Sequence, residues 1–473
     1  MNALKRIALL ILCLIMPFSL VACENNEDAR SIVSIEKTSS VGLKDIYAIT
    51  YTDGTTSTFE ITNGASGLDG EDGKDLDIND LFNKYLQSHP TATYEDFLRE
   101  VVVVNPNLNS VSANKALLSS AKIYTEFTVN YMINPFQTAT DTSISCGSAV
   151  IYKIENDYTY FITNYHVVYN HSALESDKLP KRINLYLYGS ESAPIKTGEV
   201  DSDGYSLYDY GSYALSGEYV GGSLTYDIAL IKVPTSEVLS INDKVSAVTF
   251  ADEYYVGQTA IAVGNPEDEG LSVTQGIISI DDEYISLALD GTARAYRSMR
   301  IDTAIYSGSS GGGLFNSKGE LIGITNAGDG TDQNVNYAIP LPVVKGVVQN
   351  IEYYAMQGLK SGKRITLGVT VIGKNAKYIY DATLGYGKVK EELEVNTITS
   401  GSIIEKLGLS SGNILKSFTK NGNVYNLNRS FDIGDFLLTV KSGDIITATF
   451  FNGTETVTGN AYTVLESDLT VLA

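Results

Sequence analysis

Ser310 stands among glycines in a pattern that suits a serine nucleophile. The stretch from Asp302 to Leu314 reads D-T-A-I-Y-S-G-S-S-G-G-G-L. A nucleophilic hydroxyl has to be held at the tip of a tight turn, where backbone N–H groups can point at the oxyanion that forms on the attacked carbonyl. Glycines on both sides allow such a turn and let a substrate approach closely. The alternative is an ordinary Gly/Ser surface turn, so other residues have to supply a base and an acid.

The chain has three histidines, and one of them follows an apolar, strand-like segment. His89 lies in the polar segment S-H-P, which is typical of a solvated loop, and the third is His171. His166 ends the run Y-F-I-T-N-Y, where a general base would be held on a rigid scaffold. Histidine is the side chain whose unperturbed pKa lies nearest neutrality, as a general base requires. The alternative interpretation of His166 is a half-buried histidine with satisfied hydrogen bonds and no catalytic role.

Asp227 precedes a continuous apolar segment in the run T-Y-D-I-A-L-I-K-V. A lone carboxylate at such a place is costly unless it is paired or hydrogen-bonded. An aspartate that accepts a hydrogen bond from an imidazole N–H is one such pairing, and the Ser-His-Asp triad uses it. The order His166, Asp227, Ser310 is the triad order of chymotrypsin. The three residues together therefore predict nucleophilic acyl-transfer chemistry.

Several motifs around these residues follow one another in a recognisable order. They are T-N-Y-H-V-V, Y-D-I-A-L-I-K-V, V-G-N-P, V-T-Q-G-I-I-S, D-T-A-I, G-S-S-G-G-G-L and N-V-N-Y-A-I-P. The series resembles the HtrA/Deg family of chymotrypsin-fold serine proteases over residues 113–350. The resemblance implies that these residues form a chymotrypsin-like double β-barrel.

By that resemblance, each motif residue has a role in serine protease catalysis. Ser310 is expected to be the nucleophile, His166 the general base and Asp227 the residue that orients the base. The backbone N–H groups of Gly308 and Ser310 are expected to form the oxyanion hole. Ala304, six residues before the nucleophile, is expected at the base of the primary specificity pocket. No cofactor and no metal ion are expected.

The sequence departs from the family pattern at two places beside the nucleophile. Ser309 stands where the family usually has asparagine, and Gly313 stands where proline or alanine is common. Neither departure removes a catalytic group. Both flank the expected oxyanion hole, so they put its resting geometry in question.

The first residues are typical of an export signal. Two basic residues, Lys5 and Arg6, precede an almost wholly apolar run from Ile7 to Leu20. The segment closes with L-V-A-C, which resembles a bacterial lipobox. We therefore expect a signal peptide at residues 1–22, lipid on Cys23, and a protein anchored to the outer face of the bacterial cell membrane. An uncleaved membrane anchor is the alternative, although the apolar run is shorter than the roughly 20 residues of a span.

Composition excludes some classes of partner. The chain has 34 basic and 56 acidic residues, a formal net charge of −22. Binding to nucleic acid or to an anionic surface needs a basic face, so neither is expected. Of the three cysteines, Cys13 would leave with the signal peptide and Cys23 would carry lipid. Cys146 then has no partner for a disulfide and is expected to be a small buried core residue.

Residues 23–104 are expected to form a spacer or surface-contact module without a chemical role. Residues 23–63 contain strand-like segments and an Asp53-Gly54 hairpin turn, which predict a small β module. Glycines then recur at every third position in the segment 64–76, and we interpret it as a flexible acidic linker because a collagen helix would need more repeats and proline. Residues 77–104 are expected to form two helical pieces, 78–87 and 94–103. The segment resembles stalks of extracellular lipoproteins.

Two further regions carry specific expectations. His166 and Asp227 are separated by more residues than is usual in the family, and the excess lies in the Tyr- and Gly-rich segment 204–222. It is either a contact surface or a surface β-hairpin extension. Residues 363–473 resemble the PDZ domain that follows the protease in HtrA proteins. By that resemblance Leu367, Gly368 and Val369 would bind a peptide's C-terminal carboxylate, with a groove helix at residues 431–440.

These features predict a mainly β protein, with a double β-barrel, a PDZ-like domain and a small N-terminal module. The expected function is a serine endopeptidase that cleaves unfolded or damaged exported proteins, with polypeptides as substrates and peptide C-termini bound at the PDZ-like domain. The alternatives are a non-enzymatic peptide-binding lipoprotein on a protease scaffold and an adhesin built on the N-terminal module. The sequence leaves the native substrates open, and equally whether the protein forms a homo-oligomer.

Overall fold

The computed structural model describes residues 32–41, 44–62, 78–97, 108–328, 332 and 334–472. The chain divides into two compact units, residues 1–103 and 104–473. The expected signal peptide 1–22, the lipidation site Cys23 and the linker 64–76 lie outside the described residues. Within the described ranges, no helix has both the length and the apolar character that crossing a membrane requires.

The first unit contains an antiparallel sheet and two helices. The strands lie in the order β1 (Ile32–Val41), β2 (Lys44–Tyr51) and β3 (Thr56–Thr62). Gly54 has a φ of +79° in the turn between β2 and β3, a conformation that favours glycine. The helices are α1 (Ile78–Ser88) and α2 (Tyr94–Phe97). Phe97 is fully buried and its ring lies 5.4 Å from that of Phe82.

The second unit begins with helix α3 (Leu108–Leu117), which starts before residue 113, the expected beginning of the protease domain. Nine strands and one helix follow. They are β4 (Ser120–Asn134), β5 (Gln137–Ile154), β6 (Tyr158–Thr163), β7 (Arg182–Leu187), β8 (Ile195–Val200), β9 (Ser206–Asp209), β10 (Leu215–Ser216), β11 (Glu218–Ser223), β12 (Ile228–Pro234) and α4 (Thr235–Ile241). Seven strands form one sheet in the order β10-β7-β4-β5-β6-β12-β11, while β8 and β9 pair with each other.

Six further strands close into a barrel, and a helix follows them. They are β13 (Thr259–Gly264), β14 (Ser272–Leu287), β15 (Arg294–Ile301), β16 (Gly313–Phe315), β17 (Leu321–Gly328), β18 (Asn336–Pro340) and α5 (Leu341–Ala355). The barrel order is β13-β14-β15-β18-β17-β16. One apolar core joins both sheets to helices α3 and α5, and it includes Ala116, Val150, Val263, Phe315 and Val347. The predicted mainly β architecture is confirmed, with seven strands in one sheet and six in a closed barrel. His166, Asp227 and Ser310 lie on segments that join these strands.

The C-terminal part is a smaller β structure with two helices. Its elements are β19 (Lys363–Ile365), β20 (Val369–Asp381), β21 (Tyr386–Ile398), α6 (Ile403–Lys406), β22 (Ile414–Lys420), β23 (Asn423–Asn426), α7 (Ser430–Thr439), β24 (Ile445–Phe451), β25 (Thr456–Thr458), β26 (Tyr462–Thr463) and β27 (Leu469–Val471). The main sheet has the order β20-β21-β22-β24-β25, and β19 pairs with β27. Helix α7 matches the helix expected at residues 431–440 to within one residue.

The tyrosines of segment 204–222 differ in burial, and one of the five is buried. Tyr210 is 7% exposed and donates a hydrogen bond to Glu126 Oε2 at 3.0 Å. Its carbonyl accepts a hydrogen bond from the Tyr186 hydroxyl at 2.6 Å. Tyr213, by contrast, is 57% exposed. This packing favours the interpretation as a hairpin extension of the sheet over that of a tyrosine contact surface. Cys146 is expected to be buried, but it is only half-buried. It lies on β5, at the edge of the cluster formed by Tyr124, Tyr186 and Tyr210.

Candidate active site

The structure brings His166 and Asp227 into direct contact. His166 lies in a short 3-10 turn just after β6, and Asp227 immediately precedes β12, the neighbour of β6 in the sheet. The imidazole Nδ1 lies 2.8 Å from Asp227 Oδ2, and the backbone N–H of His166 donates to Oδ1 at 2.9 Å. Both carboxylate oxygens therefore bind the same residue. With Nδ1–H donating to Asp227, Nε2 is left as the proton acceptor.

Asp227 is held in an unusual backbone conformation. Its side chain is 0% exposed, and its φ is +53°, in the left-handed region. A residue other than glycine persists there only when its surroundings over-determine it. Besides the two bonds to His166, the Asp227 carbonyl accepts a hydrogen bond from Asn164 Nδ2 at 2.9 Å. The carboxylate is thus fixed against the Nδ1 side of the imidazole.

The pKa of His166 is raised above its ordinary value. Burial by itself lowers this pKa, but the charge of Asp227 and its hydrogen bond outweigh burial. The His166 side chain keeps 25% of its surface exposed, so the ring is accessible from one side while its Nδ1 edge is buried. The pair can accept a proton and stabilise the resulting imidazolium.

Ser310 lies close to this pair without being bonded to the imidazole. Its hydroxyl donates to the Asn326 carbonyl at 3.2 Å, and no hydrogen bond joins Ser310 and His166 in the described part of the chain. A Cβ built on the next residue, Gly311, would lie 3.1 Å from the Asn164 nitrogen, which places the serine turn against the segment that carries His166. Catalytic hydrogen bonds are often loose without substrate, so the bond of Ser310 to Asn326 does not exclude Ser310 as the nucleophile.

The backbone turn before Ser310 has the form that an oxyanion hole needs. Ser309 N–H donates to the Tyr306 carbonyl at 2.9 Å, and Gly308, the third residue of this turn, has a φ of +91°. A type II turn requires a positive φ at that position, which glycine adopts without strain. Ser309 and Gly313 depart from the family pattern and had put this geometry in question. The turn is nevertheless formed.

The carbonyl groups of the turn are fixed by partners from distant parts of the chain. The Ser307 carbonyl accepts from Glu267 N–H at 2.6 Å, and the Gly308 carbonyl accepts from the Ser148 hydroxyl at 2.8 Å. The Ser310 carbonyl accepts from Ser148 N–H at 2.8 Å. Within the described residues, the N–H groups of Gly308 and Ser310 have no such partner. Two free donors on a turn held by its carbonyls are what an oxyanion requires.

Several residues that sequence reasoning did not single out build this site. Ser148 donates to Gly308, accepts from Asn265 N–H at 2.8 Å and anchors Ser310. The Thr325 hydroxyl donates to the Ser309 carbonyl at 2.6 Å. They lie in ordinary strand segments, and no local signal distinguishes them from other strand hydroxyls.

The departure at Gly313 has a packing explanation. A Cβ at Gly313 would lie 2.4 Å from the Phe315 ring and 2.8 Å from Val150 Cγ1, so no larger residue fits without repacking. Ser309 is 5% exposed, and its hydroxyl accepts from Tyr306 N–H at 3.3 Å, inside the turn itself. Each departure is thus accommodated by its neighbours, and the turn stays formed.

Ala304, the expected base of the specificity pocket, is half-buried, and its carbonyl accepts from Thr274 Oγ1 at 2.7 Å. A cavity of about 10 Å³ lies beside it, roughly the room of one water. Its walls include Val263, Ile305 and Thr325 and carry no charged side chain. Across the described ranges, no group of three or more His, Cys, Asp or Glu side chains is placed to hold a metal ion.

Leu367, Gly368 and Val369 lie away from the triad, in a second site. They line a groove of about 360 Å³ between the start of β20 and helix α7, which contributes Ile433 and Leu437. Gly368 has a φ of +70°, so it also occupies a conformation that favours glycine.

Comparison with known proteins agrees with this geometry. The family model of a trypsin-like peptidase domain matches residues 147–324. The serine protease Do-like HtrA of Bacillus subtilis is 28% identical over 285 residues, which are 58% of this chain and 54% of that protein. The chain thus spans about half the length of this relative. The serine protease Do-like HtrA of Lactococcus lactis subsp. cremoris is 25% identical over 330 residues, 66% of this chain and 69% of that protein.

Solved structures give a weaker likeness. The HtrA-type protease AlgW with decapeptide is 22% identical, covers 77% of this chain and 98% of its own, and has a TM-score of 0.45. The serine endoprotease from Yersinia pestis is 18% identical and has a TM-score of 0.40, with 79% of this chain and 100% of its own covered. Residues 147–324 thus match the model of a trypsin-like peptidase domain, and the chain is similar to HtrA-type serine proteases over more than half of its length.

Proposed function

We propose that the protein is a serine endopeptidase that cleaves unfolded or damaged exported proteins by an acyl-enzyme mechanism. The observation that carries the proposal is the buried Asp227–His166 pair beside a turn whose carbonyls are all engaged and whose Gly308 and Ser310 N–H groups are free. A scaffold that had lost catalysis would have no reason to retain both features. Polypeptides are therefore the proposed substrates.

In the acylation step, His166 Nε2 takes the proton of the Ser310 hydroxyl as the oxygen attacks the carbonyl carbon of the scissile peptide. The negative charge that forms on the carbonyl oxygen is stabilised by the N–H groups of Gly308 and Ser310. The imidazolium is stabilised by Asp227, which stays ionised. His166 then gives the proton to the leaving amine, and the C–N bond breaks.

Deacylation repeats these roles with water as the nucleophile. His166 takes a proton from water, whose oxygen attacks the acyl-enzyme carbonyl. Collapse of the second tetrahedral intermediate releases the new carboxyl end and returns the proton to Ser310. Before each acylation the Ser310 hydroxyl has to exchange the Asn326 carbonyl for His166.

The groove between β20 and α7 supports a PDZ-like role, either in capturing substrates or in activating the protease. β20 is an edge strand of its sheet, and in the described part of the chain the N–H groups of Leu367 and Gly368 have no backbone partner. Free N–H groups at such a loop can bind a terminal carboxylate, while the peptide adds as a further strand. Ile433 and Leu437 would accept its apolar side chains.

The proposed location is the outer face of the bacterial cell membrane, through lipid on Cys23. The motif L-V-A-C after an apolar run is what supports it. Metabolic labelling with a radioactive fatty acid tests the location, because label should be lost in Cys23→Ala. Unchanged labelling of that variant would contradict the lipidation site.

The activity is tested with purified protein and a fluorophosphonate probe, which forms a covalent bond to an activated serine. We expect the label on Ser310, and we expect Ser310→Ala to take no label and to lose casein cleavage by a factor of about 10⁴ to 10⁶ while it remains folded. Casein digestion by Ser310→Ala at the wild-type rate would exclude Ser310 as the nucleophile. An unlabelled and inactive wild-type protein would support the rival function, a non-enzymatic peptide-binding lipoprotein.

A further inference from the structure

A cavity of about 150 Å³ lies between β15 of the protease barrel and helix α7 of the C-terminal part. Its walls include the aromatic rings of Tyr226, Tyr284, Tyr296 and Phe431. A cavity of roughly this volume holds one benzene ring, and aromatic walls bind a ring in offset or edge-to-face contact. Tyr284 is 63% exposed, so the cavity reaches solvent on that side. The space therefore fits a small monocyclic aromatic group.

One polar group of the wall lacks the partner that a buried group normally has. Tyr296 is 2% exposed, and its hydroxyl has no hydrogen-bond partner among the described residues. Buried hydroxyl groups are almost always hydrogen-bonded, because leaving one unpaired costs the full desolvation of that group. The hydroxyl oxygen has almost no accessible surface, so a ligand in the cavity does not touch it, and Tyr296 contributes its ring to the wall.

A second wall residue carries a charge without a matching carboxylate. Arg364 donates from Nη1 to the Tyr226 hydroxyl at 2.6 Å, and within the described residues no carboxylate lies within 4.0 Å of its guanidinium nitrogens. The neighbouring Arg297, by contrast, pairs with Asp282 at 2.6 Å and with Asp435 at 2.5 Å. Arg364 is therefore the cation of this wall that is free to take an anionic ligand.

We propose that the cavity binds a small monocyclic aromatic carboxylate. The ring lies between the aromatic walls, and the carboxylate takes hydrogen bonds from the guanidinium of Arg364. A guanidinium and a carboxylate match in geometry and form charge-assisted, bidentate hydrogen bonds. The site is separate from the catalytic residues, although Tyr226 precedes Asp227 in the chain. Binding does not depend on the proposed protease activity.

The first test measures direct binding of 4-fluorobenzoate by ¹⁹F NMR. The protein is the full chain carrying Ser310→Ala. This background prevents self-cleavage and keeps the result independent of the proposed protease activity. We expect saturable binding. Fluorobenzene lacks the carboxylate, and cyclohexanecarboxylate, measured in competition, lacks the aromatic ring. Each should bind at least about tenfold more weakly, because each loses one half of the recognition.

The second test fills the cavity. Gly434 lines it from helix α7, and a Cβ built there meets no atom within 4 Å. Gly434→Leu should therefore occupy the space without a clash, and a helix-interior glycine is itself unfavourable. We expect this variant to bind 4-fluorobenzoate at least about tenfold more weakly, with a thermal midpoint no lower than that of the parent. Arg364→Gln should weaken binding by about tenfold or more, whereas Tyr296→Phe, which keeps the ring, should bind as the parent does.

A control separates the cavity from the neighbouring groove, because Arg364 lines both. Leu437→Gln changes the groove without placing a charge near Arg364 and leaves the cavity walls intact, so 4-fluorobenzoate should bind it as it binds the parent. Loss of binding in this variant would place the carboxylate in the groove and overturn the proposal. The proposal is equally overturned if the parent shows no saturable binding, as a water-filled cavity would, or if Gly434→Leu binds with unchanged affinity.

Discussion

Asp227 carries its charge where no solvent reaches it, and both of its oxygens bind His166. This explains the direction in which the imidazole titrates. Burial alone would lower the pKa of His166, yet the adjacent carboxylate raises it. His166 is therefore protonated at a higher pH than an ordinary histidine, whose pKa is about 6.5. Protonation of His166 at low pH therefore lowers activity, whereas it stabilises the folded protein.

We predict that kcat/KM falls as the pH drops through the raised pKa of His166, because the base has to be neutral to accept a proton. In Asp227→Asn the counter-charge is gone while burial remains, so this acid limb should move to lower pH. The rate at the plateau should fall about 10⁴-fold, since the imidazole is held in the wrong tautomer. A pH–rate profile on a chromogenic peptide measures both effects. An acid limb at the same pH in Asp227→Asn would contradict the assignment of Asp227.

The effect of the pair on folding runs the other way. Since the folded-state pKa of His166 is raised, its stabilising contribution is complete below the unfolded pKa of about 6.5 and is lost as the pH rises through the folded value. Maximum stability from this pair and maximum activity therefore occur at different pH.

Ala304 leads to a prediction about specificity. The residues around Ala304 carry no charge, so a cationic substrate side chain placed against them would have no counter-ion, which is expensive. We predict cleavage after small or medium aliphatic residues such as valine, alanine or isoleucine. Mapping the cut sites in a denatured protein by mass spectrometry checks this. A majority of cuts after arginine or lysine would refute it, and Ala304→Asp provides the matched variant in which such cuts should increase.

At the scale of elements, the loop after β13 holds the oxyanion turn in place. Glu267 and Asp268 have φ values of +53° and +66°. Residues in this strained region persist only when surrounding contacts hold them there. Asp268 Oδ1 accepts from the Tyr124 hydroxyl at 2.7 Å and pairs with Lys122 at 2.9 Å. Burial opposes ionisation of Asp268, but these hydrogen bonds lower its pKa overall. Glu267 N–H, in turn, fixes the Ser307 carbonyl at 2.6 Å. Strand β4 is thus connected to the oxyanion hole.

We predict that Asp268→Ala reduces kcat by about 10 to 100-fold with little change in KM, because the oxyanion donors lose part of their alignment. Removal of a whole donor costs about 10² to 10³, which sets the upper limit. Steady-state kinetics on a small peptide measures the two parameters, and circular dichroism verifies that the variant is folded. Tyr124→Phe removes one hydrogen bond to Asp268 and should reduce kcat by a smaller factor. Asp243→Ala, at an exposed ion pair, is the control. A wild-type kcat in Asp268→Ala would show that the loop does not hold the turn.

At the scale of the molecule, the segment between protease and C-terminal part is packed rather than loose. Asn350 in α5 is fully buried, and its amide donates to the carbonyls of Lys363 and Leu438, both at 2.8 Å. Its oxygen accepts from Lys363 N–H at 2.8 Å. Helix α7, whose other residues line the groove, also reaches the protease barrel through the pair Asp435–Arg297. A change in the groove therefore has a contiguous route to the barrel.

We predict that peptide binding in the groove stimulates cleavage at the triad. A ligand shifts the population of active protein only by its differential affinity for that state, so the effect should saturate with peptide. The turnover of a small chromogenic substrate that cannot reach the groove is measured with and without a separate groove-binding peptide. Stimulation that Leu437→Glu abolishes supports coupling. An unchanged rate at saturating peptide would mean that the groove only captures substrate.

Much of the architecture could be read from local patterns in the sequence. The apolar runs on either side of residues 316–320 predict two strands, and β16 and β17 are found there. The motif order predicts His166, Asp227 and Ser310 as a triad, because each requires a characteristic local setting: a strand end, an apolar strand or a glycine turn. The Asp-Gly pair likewise predicts the hairpin at Gly54, which adopts the positive φ that glycine favours. These features depend on neighbours along the chain, so the sequence by itself determines them.

Only the tertiary structure decides which distant groups complete the site. Ser148 lies 160 residues from the Gly308 carbonyl that its hydroxyl binds, and Thr325 reaches Ser309 from another strand. Neither spacing nor composition selects them from many similar hydroxyls, because the contacts arise when the two sheets pack together. The same reason explains why, in segment 204–222, Tyr210 is buried while Tyr213 is exposed. Local patterns specify conformation, while the partners of buried polar groups are set by how the elements meet in space.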